Sequence, residues 1–79
     1  MNREKIKKAA QLADDLKKVE KAIGLISDHE KIAVRISANV GGGNSEETLF
    51  AYLPKRIVPA IYSVLIDAQK YINQEMEDL

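Results

Sequence analysis

Residues 31–54 read KIAVRISANVGGGNSEETLFAYLP, and the period of this stretch decides the fold. Ile32, Val34, Ile36, Ala38 and Val40 alternate with Ala33, Arg35, Ser37 and Asn39. Side chains of a strand point alternately to opposite faces, so the pattern predicts a half-buried strand over about 31–40. Gly41-Gly42-Gly43-Asn44-Ser45-Glu46 follows and is the only low-complexity patch. Glycines reach positive φ at no steric cost, so this patch predicts a chain reversal over 41–46. A second strand is expected over about 47–53, with Thr48, Phe50 and Tyr52 on one face and Leu49, Ala51 and Leu53 on the other. Both of its faces carry apolar bulk. Pro54 closes it, because proline cannot donate to a sheet ladder.

Outward from this hairpin the period changes to that of a helix on both sides. Before it, Ala9, Leu12, Leu16, Val19, Ile23 and Ile26 recur at steps of three and four, an a/d heptad that puts one narrow apolar seam on a helix over about 3–27. Gly24 offers an early stop, but Ile26 continues the seam and favours the later one. Ser27 to Glu30 spells a capping-box pattern, which the β-branched alternation after it overrides in favour of a short connection. After the hairpin, Ile61, Leu65, Ala68, Ile72, Met76 and Leu79 form a second helical stripe, widened by Val58, Val64 and Tyr71. A helix over about 55–78 places Pro59 at the edge of its first turn, whose amides have no intrahelical partner in any case.

The expected architecture is therefore α+β: helix, β-hairpin, helix (α-β-β-α), in one domain spanning residues 1–79. Seventy-nine residues is about half of a typical domain of roughly 150 and argues against a two-domain enzyme. The composition, 46% hydrophobic and 30% charged, is that of a folded chain. Cysteine is absent, which excludes disulfides, thiolate metal sites and cysteine nucleophiles and fits a reducing compartment. An isolated two-stranded hairpin is marginal in water, and a chain this small buries only about 60% of its unfolded surface. Small scaffolds without staples commonly meet the cost of ordering by oligomerising. Homodimerisation is thus expected to complete the fold. Either the helix 1 seam pairs with its symmetry mate, with Leu12, Leu16, Val19, Ile23 and Ile26 as contacts, or hairpins of two chains join edge to edge into a four-stranded sheet covered by helices.

Charge narrows the function classes. Lys plus Arg and Asp plus Glu both total 12, so no net charge draws the chain to a polyanion or an anionic membrane. Residues 1–40 hold nine basic against six acidic side chains and residues 41–79 three against six, giving halves of +3 and −3. The charges also oppose their helix dipoles: Arg3, Lys5, Lys7 and Lys8 crowd a positive N-terminus, and Glu75, Glu77 and Asp78 a negative C-terminus. This predicts that the N-terminus of helix 1 lies beside the C-terminus of helix 2, within one chain or across a dimer. The most apolar run, Ile57 to Ile66, is about half the roughly 20 residues that span a bilayer, and no apolar signal segment follows Met1 to Lys8, so no membrane partner is expected and the address is read as cytoplasmic.

No catalytic constellation emerges. His29, the only histidine, stands between Asp28 and Glu30, and no serine lies in a G-x-S-x-G or S-x-x-K setting. One histidine with scattered carboxylates lacks the paired ligands on one helical face that a metal site uses, and Asp14 and Asp15 diverge by about 100° around a helix. The glycine run lacks the Lys-Ser or Lys-Thr of a phosphate loop and joins two strands, so it reads as a hairpin loop. Neither a metal nor a cofactor is expected. Arg3, Lys5 and Lys8 at one helix end, with Arg35 beside Phe50 and Tyr52 on the sheet, are the residues a nucleic acid would contact.

Leu53-Pro54-Lys55 closing a strand and opening a C-terminal helix, after a Gly-rich turn and a helix–strand pair, resembles small uncharacterised proteins encoded by bacteriophages and prophages. The resemblance implies a bacterial or viral setting and an accessory role. The function expected from the residues is a non-enzymatic, self-associating protein-interaction module, its alternative a small nucleic-acid-binding accessory protein using the basic end of helix 1 and the hairpin.

Overall fold

Asn2 starts the first helix. Its backbone is extended, and its side-chain Oδ1 accepts from the Lys5 backbone N–H at 2.8 Å, satisfying one of the donors that a helix N-terminus leaves unpaired. From there α1 runs Arg3–Asp28, through Gly24 as the seam requires, and ends where His29 turns extended and its Nδ1 lies 3.0 Å from the Leu25 carbonyl oxygen. The computed structural model describes residues 2–79. Its elements follow in the order α1 (Arg3–Asp28), β1 (Val34–Val40), β2 (Gly43–Phe50) and α2 (Val58–Glu77), so the chain is an α+β protein of α-β-β-α layout.

The hairpin is tighter than the glycine patch suggests. Gly41 and Gly42 have φ of +56° and +90°, and Val40 pairs with Gly43 across them. Two consecutive positive-φ residues are what the two-residue turn matched to strand twist requires. The expected six-residue turn over 41–46 is thereby corrected: Asn44, Ser45 and Glu46 belong to β2 and pair with Asn39, Ala38 and Ser37. Strand 1 begins at Val34 rather than 31 and strand 2 covers Gly43–Phe50 rather than 47–53.

A bulge settles the two-faced reading of strand 2. Arg35 pairs with Thr48 and Val34 with Phe50, so Leu49 is an extra residue opposite no partner. Such an insertion resets the alternation and puts Phe50 on the face of Val34, together with Leu49. All the apolar bulk of the hairpin proper then falls on one side: Val34, Ile36, Ala38, Val40, Leu49 and Phe50. The other carries Arg35, Ser37, Asn39, Asn44, Glu46 and Thr48. Below the bulge, the Leu53 backbone N–H donates to the Ile32 carbonyl at 2.6 Å, and Lys31 Nζ sits 5.6 Å from the centroid of the Tyr52 ring. These contacts tie the segment entering the hairpin to the segment leaving it.

Helix α2 begins at Val58, three residues later than the apolar stripe predicts. In a helix starting at residue 55, Pro59 would lack the N–H for a bond to the Lys55 carbonyl and its ring would press on it. Instead Pro54 to Ile57 form a turn, closed by the Ile57 N–H on the Pro54 carbonyl at 2.9 Å, and Pro59 falls in the first helical turn.

Helix packs on helix and strand on strand, and among the described residues the strands approach the helices only at the start of β1, where Val34 and Arg35 border a groove shared with α1 and α2. Ala22, Leu25 and Ile26 near the end of α1 share a groove with Ile61 and Leu65 near the start of α2, so the helices are antiparallel. The N-terminus of α1 therefore runs toward the C-terminus of α2, as the charges predict, although among the described residues the one ion pair within 4.0 Å is Lys18–Asp14 at 3.1 Å on α1 itself. With about 39 Å of α1 and about 23 Å of β1, a hairpin continuing the helix axis would make the molecule over about 60 Å long. Its extents are 45 × 33 × 16 Å, so the hairpin projects sideways and the whole chain lies in one slab.

Candidate functional site

A slab 16 Å thick is little more than one helix diameter of about 10–12 Å. Folded domains need two packed layers to enclose a core; α1 and α2 supply them to each other, but the apolar face of the hairpin has no second layer. The consequence is visible in burial: Leu12 and Leu53, both 6% exposed, are the only buried hydrophobic side chains among the described residues. The accessible surface is 6552 Å², whereas a folded monomer of 8.8 kDa is expected to expose about 4,800 Å². The radius of gyration, 15.4 Å, likewise exceeds the roughly 12 Å of a compact domain of this length.

The excess surface is concentrated and apolar. Ile36, Val40 and Leu49, on the apolar face of the hairpin, are 57%, 66% and 56% exposed. With no helix against that face, Ile36, Ala38 and Leu49 border only a shallow concavity of about 320 Å³, in which Glu47 is the single charged group. A second depression, about 390 Å³, lies where α1, the hairpin's base and α2 meet. Ile26, Ile32, Val34, Ile61 and Leu65 line it, and Arg35 is its single charged group. Along α2, Val64 and Tyr71 are also exposed, because the stripe on α2 is wider than the narrow seam of α1 can cover.

The residues singled out from sequence are distributed unevenly over this surface. Leu12 is buried, and Leu16, Val19, Ile23 and Ile26 are half-buried. Since α2 is the one element that packs on α1, this row faces α2 of the same chain. Arg3, Lys5, Lys8 and Arg35 are all exposed, but Arg35 borders the depression lined by Ala22, Leu25 and Ile26 of α1. From Lys8 to Ala22 the helix rises about 21 Å, so the four cations form no single patch. His29 caps α1, and among the described residues no cluster of three His, Asp or Glu could hold a metal ion. No helix among them is long and apolar enough to cross a membrane.

Sequence reasoning did not single out Ile36, Val40 and Leu49 as contact residues. The signal was present in the strict alternation of residues 32–40, but alternation shows only that a face is apolar, not which element covers it. No family model, curated protein or solved structure matches this chain.

Proposed function

We propose that this protein is a non-enzymatic, self-associating interaction module whose folded form is a homodimer, each copy supplying the layer that the other lacks. The observation that carries this reading is the surface: roughly 1,800 Å² more than a folded monomer of this mass exposes. Two chains covering that excess would bury about 3,600 Å² in total, within the 2,000–5,000 Å² of obligate homodimers. Such interfaces resemble a domain core cut in half, and an exposed face of Ile, Val and Leu has that composition. An accessory role in a bacterial or viral setting is compatible with a small module that works by assembling, and a reducing cytoplasm with a chain free of cysteine.

Light scattering with size-exclusion chromatography across a concentration series tests the reading. The expected mass at micromolar concentration is twice 8.8 kDa. A folded species of 8.8 kDa at the same concentration, with full helical circular dichroism, would overturn it.

A further inference from the structure

Resting on the self-associating reading, the geometry points to a specific mode of assembly: the apolar face of each hairpin lies in the groove between α1, the hairpin base and α2 of a second copy, with Glu47 of one chain against Arg35 of the other.

Three observations favour this occupant and this arrangement. The first is continuity. Val34 lies on the apolar face of the hairpin by its pairing with Phe50 and also lines the groove, so hairpin face and groove adjoin at Val34. A two-fold axis passing near that junction lays each hairpin over the other chain's groove, an isologous contact that closes on itself.

The second is charge. The hairpin concavity holds one charged group, Glu47, and the groove holds one, Arg35. Within the chain the two are not an ion pair, since Glu47 shares the face of Ile36 while Arg35 points to the other side of β1. Hairpin in groove brings opposite charges together twice per dimer. Hairpin stacked on hairpin would oppose Glu47 with Glu47 and leave the groove open. The third is area. The hairpin contributes only part of the uncovered surface, and both concavities must be filled for the excess of each chain to disappear.

A charge-swap experiment in trans tests the assignment. Glu47→Arg alone opposes Arg with Arg, and Arg35→Glu alone opposes Glu with Glu, at both contacts. Each variant is expected to weaken the dimer by at least about tenfold. Mixed in equal amounts they form a heterodimer in which both contacts are attractive again, so mass by sedimentation velocity and helical circular dichroism should return together to wild-type values. That rescue separates loss of the contact from simple misfolding, which mixing does not cure.

If wild type is a dimer and both variants dimerise as it does, or if the mixture fails to recover, the groove assignment is overturned while self-association stands. Arg35→Glu retaining wild-type affinity would also overturn it. So would an Ala38→Cys chain that oxidises to a 38–38 disulfide dimer, because that bond needs Cα atoms within about 7 Å and therefore hairpin-on-hairpin stacking. A folded wild-type monomer overturns both readings at once.

Discussion

Dilution alone should unfold this protein. Of the roughly 1,800 Å² of surplus surface, about 60% is apolar if it matches protein surfaces in general, or about 1,100 Å². At about 25 cal/mol per Å² this is on the order of 27 kcal/mol of burial per chain that the chain by itself forgoes. The net stability of a domain this size is only about 4–12 kcal/mol. Even if the transfer value overstates the gain severalfold, the isolated chain has nothing comparable to replace it, so folding and association should be one transition. The equilibrium is then between a native dimer and two unfolded chains, and each tenfold dilution removes about 1.4 kcal/mol per dimer. With a urea m-value of about 2 kcal/mol/M, the unfolding midpoint should fall by about 0.7 M per decade of concentration. The assay is urea titration followed by circular dichroism at 1, 10 and 100 µM (about two decades in all). Superimposable curves would show that the chain holds its fold alone and that its surplus surface needs no second copy.

Other outcomes follow from single positions. Leu12→Ala should cost about 2–5 kcal/mol in the same titration, because Leu12 is one of two buried hydrophobic side chains among the described residues and α2 cannot collapse onto the space without moving along its length. Gly42→Val puts a β-branched residue at φ +90°; it should destabilise by about 1–2 kcal/mol from backbone strain alone, whereas Gly43→Ala, in ordinary backbone where the added Cβ meets only the Val40 carbonyl oxygen at 3.7 Å, should be mild by comparison. Because Arg3, Lys5 and Lys8 lie at one end of α1 and Arg35 beside Ala22, Leu25 and Ile26 near the other, short duplex DNA at physiological salt should bind no tighter than about 10⁻⁴ M by fluorescence anisotropy. A submicromolar, steeply salt-dependent affinity would instead support a nucleic-acid accessory role.

Local rules made most of the layout legible. Steps of three and four from Ala9 to Ile26 gave α1, the alternation from Ile32 to Val40 gave β1, and two prolines bracketed the start of α2. The misjudged boundaries share a cause. Composition marks a glycine-rich patch as a turn, but which glycines take positive φ depends on strand pairing: Val40 can pair with Gly43 only if the reversal is confined to Gly41 and Gly42. Likewise the bulge at Leu49 is a property of two strands in register and leaves no mark in one strand's own period. The contact surface was harder still. Leu12 and Ile36 both belong to an apolar row, yet α2 covers the first and nothing among the described residues covers the second. A single sequence states how much apolar surface must be hidden, not against what.

The polar side of the hairpin bears on how far assembly goes. Arg35, Ser37, Asn39, Asn44, Glu46 and Thr48 share it, and the concavity between Ser37, Asn39, Asn44 and Glu46 is mostly polar. A sheet that is apolar on both faces would invite a third layer, and then a stack with no natural end. In the proposed dimer a second copy would cover the Ile36–Leu49 side and take up Arg35 against its Glu47, and the side left outward, Ser37, Asn39, Asn44, Glu46 and Thr48, would be hydrated and offer a further chain little burial. The strand edges of β1 and β2 would stay unpaired, but each strand is only seven or eight residues long, one is bulged, and Glu46 adds charge, features that blunt edge-to-edge growth. The same strands that leave a lone chain with a thin core would thus limit the proposed assembly to two.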